Sequence, residues 1–113
     1  MKEVKAFIRS SKAEAVIEAL YDLGVADITL IDVMGVGHHL VDPQQARYSI
    51  HLVKKYSDVA KLETVCRSED ANKIVETIRQ TAYTGMPGDG MIYVMPVEKA
   101  VKIRTGKENK EAI

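Results

Sequence analysis

The chain is 113 residues long, enough for one domain and too short for two ordinary ones, so residues 1–113 are expected to fold as a single unit. Hydrophobic residues make up 46% and charged residues 28%, which excludes a disordered chain and suits a globular domain with a core. Sixteen basic residues balance sixteen acidic ones, so there is no net field to bind long nucleic acids or anionic membrane surfaces.

The opening residues Met1-Lys2-Glu3-Val4-Lys5 lack the apolar run of a secretory signal. No stretch approaches the roughly 20 apolar residues that span a bilayer, so no direct membrane insertion is expected. Cys66 is the single cysteine, which rules out an internal disulfide and fits a cytoplasmic location. After a first strand, Phe7-Ile8-Arg9-Ser10 leads into Ala13, Val16, Ile17, Glu18 and Leu20. The same order returns 58 positions later, where Val65-Cys66-Arg67-Ser68 leads into Ala71, Ile74, Val75, Glu76 and Ile78. Apolar residues at i, i+3, i+4 and i+7 make one helical face, so each copy predicts a strand followed by an amphipathic helix.

Ser11 and Glu14 have capping-box spacing at the first helix start, and Gly24 and Gly85 stand where left-handed C-terminal caps are expected. Ala26 to Met34 and Met91 to Val97 are short and rich in β-branched residues, which predicts a strand after each helix, with Pro96 at an edge or strand end. Two βαβ halves of this kind give an α+β, ferredoxin-like βαββαβ sandwich with both helices on one sheet face. Strand residues on both sides are apolar, so self-association is expected to cover the other face. Helical and strand periodicity lapse between Gly35 and about Ser57, and a loop that long inside a compact domain is usually functional or disordered. Within it, Tyr48 to Val53 alternates and is expected to extend the third strand. The polar tail of about 105–113 is expected to be loose unless it folds over a ligand.

Two segments could carry chemistry. In Thr84-Gly85-Met86-Pro87-Gly88-Asp89-Gly90, glycines would let backbone N–H groups close on an anion, although a helix cap followed by an Asp-Gly turn is the plainer alternative. No lysine with Ser or Thr follows, so it is not a Walker loop. Lys102 and Arg104 would share one side of an extended segment and together suit a polyphosphate, or else form a solvated basic edge. Gly35-Val36-Gly37 opens the long loop as a further glycine pair or as a hinge.

Thr84-Gly85-Met86-Pro87-Gly88-Asp89-Gly90, Ile92-Tyr93-Val94, Val97-Glu98 and Ile103-Arg104-Thr105-Gly106 together resemble the PII nitrogen-regulatory family. Asp32 to Gly37 is similar to that family's strand leading into its T-loop, and Ala112-Ile113 to its C-terminus. The likeness covers nearly the whole chain and is weakest across residues 38–60. It implies a homotrimer that binds adenine nucleotide in clefts between subunits and transduces the signal to a partner protein (a transporter, an enzyme or a regulator) through a T-loop of about residues 37–57. Carried over by position, Thr29 would meet adenine, Gly35, Val36 and Gly37 would line the nucleotide, and Val65 would add to the pocket. Gly88, Asp89 and Gly90 would hold ribose and phosphates, Arg104 would bind phosphate, and Lys102 would do so in place of the usual arginine, without its bidentate fork.

Several positions depart from that pattern. His39 stands where a glutamine would help hold magnesium and 2-oxoglutarate, Asp58 or Val59 where a lysine would grip 2-oxoglutarate, and Met91 where a lysine would reach the distal phosphates. Each lost cation removes a charge-assisted contact typically worth ~1.5–3 kcal/mol. The expected ligand is therefore ADP, AMP or ATP, with the less charged two favoured and with magnesium and 2-oxoglutarate disfavoured. No tyrosine lies in the family's uridylylation context, so that modification is not expected.

Three other classes compete. His38 and His39 with Asp42 and His51 suggest a metal-responsive trimer linked to metal tolerance or transport, but adjacent histidines on an extended chain point apart and suit exposed loop residues better. An acylphosphatase-like enzyme would need an anion cradle at Ile8 to Lys12, where no glycine occurs, so no catalysis is expected. RNA binding through stacked aromatics is disfavoured because Phe7 is the only phenylalanine and tryptophan is absent. Cys66 is expected to be a small strand residue rather than a nucleophile.

Overall fold

A computed structural model describes residues 1–34 and 58–113. Strand β1 (Lys2–Arg9) leads into helix α1 (Ser10–Asp22) and strand β2 (Thr29–Met34); strand β3 (Asp58–Cys66) leads through a 3-10 turn (Ser68–Asp70) into helix α2 (Ala71–Ala82) and strand β4 (Gly90–Pro96). The four strands lie in the order β2-β3-β1-β4, all pairs antiparallel, and this arrangement of four strands and two helices fits the ferredoxin-like fold.

The repeat determines which residues enter the core. Ala13 and Ala71, Val16 and Ile74, and Leu20 and Ile78 are all buried, and each pair occupies equivalent positions in the two halves. Val4, Ala6 and Ile8 of β1 and Ala60, Leu62 and Cys66 of β3 alternate along their strands and close the same core from the sheet side. The opposite face carries Phe7, Ile31, Met91 and Tyr93, with the Phe7 and Tyr93 rings edge to face at 6.2 Å. Among these, Lys5 lies 3.5 Å from Glu3 and 3.7 Å from Glu63, and Lys61 lies 3.4 Å from Glu63. Among the described residues no helix covers this face, and Ile31, Met91 and Tyr93 remain more than two-fifths exposed.

Gly24 ends α1 as expected. Its φ of 97° lets its N–H reach the Tyr21 carbonyl at 2.9 Å while the Val25 N–H reaches Leu20 at 2.9 Å, the paired bonds of a Schellman cap. Four local expectations are corrected. Helix α1 begins at Ser10 with Arg9 at the N-cap position, two residues ahead of the expected Ser11 cap, because extended Arg9 runs straight into it, and no side chain caps it. Gly85 has a positive φ but does not cap α2, since Tyr83 leaves the helix extended and the Gly85 N–H turns to Asp89. Strand β2 starts at Thr29 rather than Ala26, the preceding turn being held by the Thr64 hydroxyl donating to the Asp27 carbonyl at 2.8 Å. The tail is not loose: Val101 pairs with Glu108, the Asn109 N–H donates to Ala100 at 2.7 Å, and Lys99 lies 3.2 Å from Glu108. The expected strand at Tyr48 to Val53 lies outside the described residues.

Candidate functional site

The loop from Thr84 to Gly90 is built around one carboxylate. Asp89 accepts from the N–H groups of Thr84 and Gly85, both at 2.9 Å, and from the Thr84 hydroxyl. The Met86 N–H then donates to the Thr84 hydroxyl oxygen at 3.1 Å. From the end of β1, Arg9 donates through Nε to Asp89 at 3.1 Å and through Nη2 to the Pro87 carbonyl at 2.8 Å. None of these bonds uses the Gly88 amide. Partial burial pushes the Asp89 carboxyl up, but the bonds from Thr84, Arg9 and Gly85 outweigh it and hold the carboxyl far below the usual carboxylate range.

Glycine is required where this loop rejoins the sheet. Gly90 has φ of 107°, and a Cβ there would lie 1.8 Å from the Phe7 carbonyl oxygen, a backbone atom that cannot swing away. The Gly88–Asp89–Gly90 bend is therefore a fixed backbone surface, and the Asp89 side chain is spent inside the chain in shaping it.

Thr29 and Val65 lie elsewhere, together. Thr29 pairs with Glu63, Val65 follows two residues on, and all three share the open face of the sheet. They line a cleft of about 720 Å³, closed by the Leu23–Asp27 turn, Arg67, Lys73 and Ile113. Gly90 is level with Ile8 and Ala60, five residues along β3 from Val65 and two strands across. At strand spacings this is about 17 Å along and about 10 Å across the sheet. One protomer thus holds the two groups at opposite ends.

Lys102 and Arg104 do not alternate along an extended strand. Residues 102–106 form a turn closed by the Gly106 N–H on the Lys102 carbonyl at 2.7 Å, with the Lys102 N–H donating to Lys107 at 2.9 Å. Arg104 is exposed on this turn and Ile103 beside it is wholly exposed. Both cations are carried on a short hairpin that stands clear of the core.

The sequence profile described as nitrogen regulatory protein P-II matches residues 1–107. The chain belongs to this family. Among its P-II relatives, the nitrogen regulatory protein P-II of Haemophilus influenzae is 39% identical with both chains covered in full. The nitrogen regulatory protein P-II 2 of Methanothermobacter thermautotrophicus is 40% identical over all of this chain and 97% of its own length, and the P-II protein of Azospirillum brasilense is 36% identical with both chains covered in full. P-II proteins are regulatory signalling proteins rather than enzymes, so this chain is a signal-transduction regulator of the P-II type.

Of the residues singled out in the sequence, the structure gathers Gly88, Asp89 and Gly90 in one place and Thr29 and Val65 in another, and sets Lys102 and Arg104 on a third segment. Gly35, Val36, Gly37, His38 and His39 lie outside the described residues. Among the described residues no cluster of three His, Cys, Asp or Glu could hold a metal ion, and nothing there favours the metal-responsive alternative. No helix among them is long and apolar enough to cross a membrane. Cys66 is buried at the end of β3; burial pushes its thiol up, Asp70 and Glu69 add to this, and the N-terminus opposes it, so it is poorly suited to nucleophilic work. Sequence reasoning missed Arg9 and Thr84 as determinants of the loop. Arg9 had one visible signal, a cation at a strand end where an acylphosphatase-like cradle was sought and no glycine stood.

Proposed function

We propose that this P-II protein is a homotrimeric nucleotide sensor. Adenine nucleotide (ADP, AMP or ATP) would bind in clefts between protomers, and the T-loop of about residues 37–57 would pass the bound state to a partner protein. The observation that carries this reading is the separation of the candidate residues. Thr29 and Val65 cannot meet the Gly88–Asp89–Gly90 bend on one ligand within a single protomer, yet an adjoining copy would bring the two ends together. The uncovered sheet face, with Ile31, Met91 and Tyr93 exposed, supplies apolar surface for that copy. Backbone amides near Gly88 would receive phosphate, and Lys102 and Arg104, on their projecting turn, would neutralise it. Met91 leaves the loop without a following lysine, which favours ADP or AMP over MgATP with 2-oxoglutarate.

Native mass measurement combined with calorimetric titration of ATP, ADP and AMP tests this directly. A species of three chains that binds adenine nucleotide is expected, with Arg104→Glu weakening ADP binding by about tenfold or more, because one charge-assisted phosphate contact becomes a repulsion. A monomer, or an Arg104→Glu variant of unchanged affinity, would overturn the proposal.

A further inference from the structure

We propose that Arg9 is a positioning residue for the ligand loop: its guanidinium ties the end of β1 to both the Asp89 carboxylate and the Pro87 carbonyl, and so fixes the Gly88 bend while masking a negative charge that would otherwise repel phosphate. This rests on the nucleotide reading above and adds a control on that same site.

The geometry is specific. Nε and Nη2 serve two different acceptors, at 3.1 and 2.8 Å, that lie on either side of Gly88. Only a planar fork reaches both at once; an ammonium group is a single point of charge. Without Arg9, Asp89 would keep the Thr84 and Gly85 bonds, but the bend between Pro87 and Asp89 would lose the side-chain tie that Arg9 makes to β1. The loop carboxylate would then face an incoming polyanion unneutralised. The internal repeat supplies a comparison. Arg67, the counterpart of Arg9 at the end of β3, makes no side-chain hydrogen bond or ion pair among the described residues and lines the cleft instead. A strand-terminal arginine at this place in the half-motif is therefore not sufficient to organise the neighbouring turn. The Arg9 contacts depend on Asp89 and Pro87, residues of the loop itself.

The test compares ADP with adenosine, by calorimetry or competition, on the full-length wild type, Arg9→Met, Arg9→Lys and, as a charge control on the far face of α2, Arg79→Met. The wild type and R79M should bind ADP alike. R9M should lose about 10- to 100-fold in ADP affinity, the range of a charge-assisted contact, while adenosine, which carries no phosphate, changes less than twofold. R9K should fall between. An R9M protein that binds ADP within twofold of wild type overturns the proposal, as does an equal loss for ADP and adenosine. Should R9M fail to fold, R9K decides, and wild-type ADP affinity in a folded R9K overturns it. A wild type that binds no adenine nucleotide overturns the nucleotide reading itself, a result separate from any effect of Arg9.

Discussion

Asp89 is the residue on which the Thr84–Gly90 loop turns. Its two oxygens collect two backbone N–H groups, a hydroxyl and a guanidinium, so the ionised form is strongly favoured in the fold. A carboxyl held below its unfolded value contributes stability that is complete above the unfolded value, near 4, and is lost as pH falls through the folded one. The loop should therefore keep its shape well into acid. Followed by NMR, the Asp89 carboxyl carbon should show no titration down to about pH 3, where ordinary aspartates are mostly protonated. A midpoint near 4 would show that the bonds from Thr84 and Gly85 are not held in solution. The motif glycines and Asp89 were visible in the sequence as a phosphate nest, but the direction of the carboxylate was not. The partners that set that direction are Thr84 and Gly85 nearby and Arg9, 80 residues away in the chain.

At the scale of elements, the 58-residue repeat predicted two equivalent helices, and burial of Leu20 and Ile78 at equivalent positions agrees with it. Both side chains are fully buried in one cluster with Val4 and Leu62. Leu20→Ala and Ile78→Ala should each cost about 2–5 kcal/mol in urea unfolding, the range for truncating a large core aliphatic. A loss below about 1 kcal/mol at either would mean that the two helices do not share one rigid core. Helix periodicity was legible because each turn repeats the same burial requirement. The ends were less so: Ser11 and Gly85 had the chemistry of caps, but tertiary contacts placed the chain differently at both points. At Gly85 the Asp89 carboxylate took the N–H that a helix cap would have used.

Across the protomer as a whole, the described residues leave one sheet face and one hairpin exposed. Ile103 is wholly exposed, and the apolar side chains of β2 and β4 share their face with the charged group of Lys5, Lys61 and Glu63. In the proposed trimer this surface would be interior, and a nucleotide bridging two copies would bias the segment that leaves β2 at Met34 and returns at Asp58. Limited proteolysis should then cut residues 37–57 at rates that differ between the free and ADP-bound protein. Equal cleavage with and without ATP, ADP and AMP would count against a loop that reports ligand binding.

The amino-acid pattern alone determined the two βαβ halves, the face of each helix that enters the core and the family, because periodicity and local motifs are short-range properties of the chain. Only the tertiary structure decided that Lys102 and Arg104 ride on a closed turn, that Thr29 and Val65 lie at the far end of the sheet from Gly90, and that Arg9 bonds to Asp89 and Pro87. Each of these depends on which distant segments the sheet order β2-β3-β1-β4 makes neighbours, and no spacing along the sequence records that order.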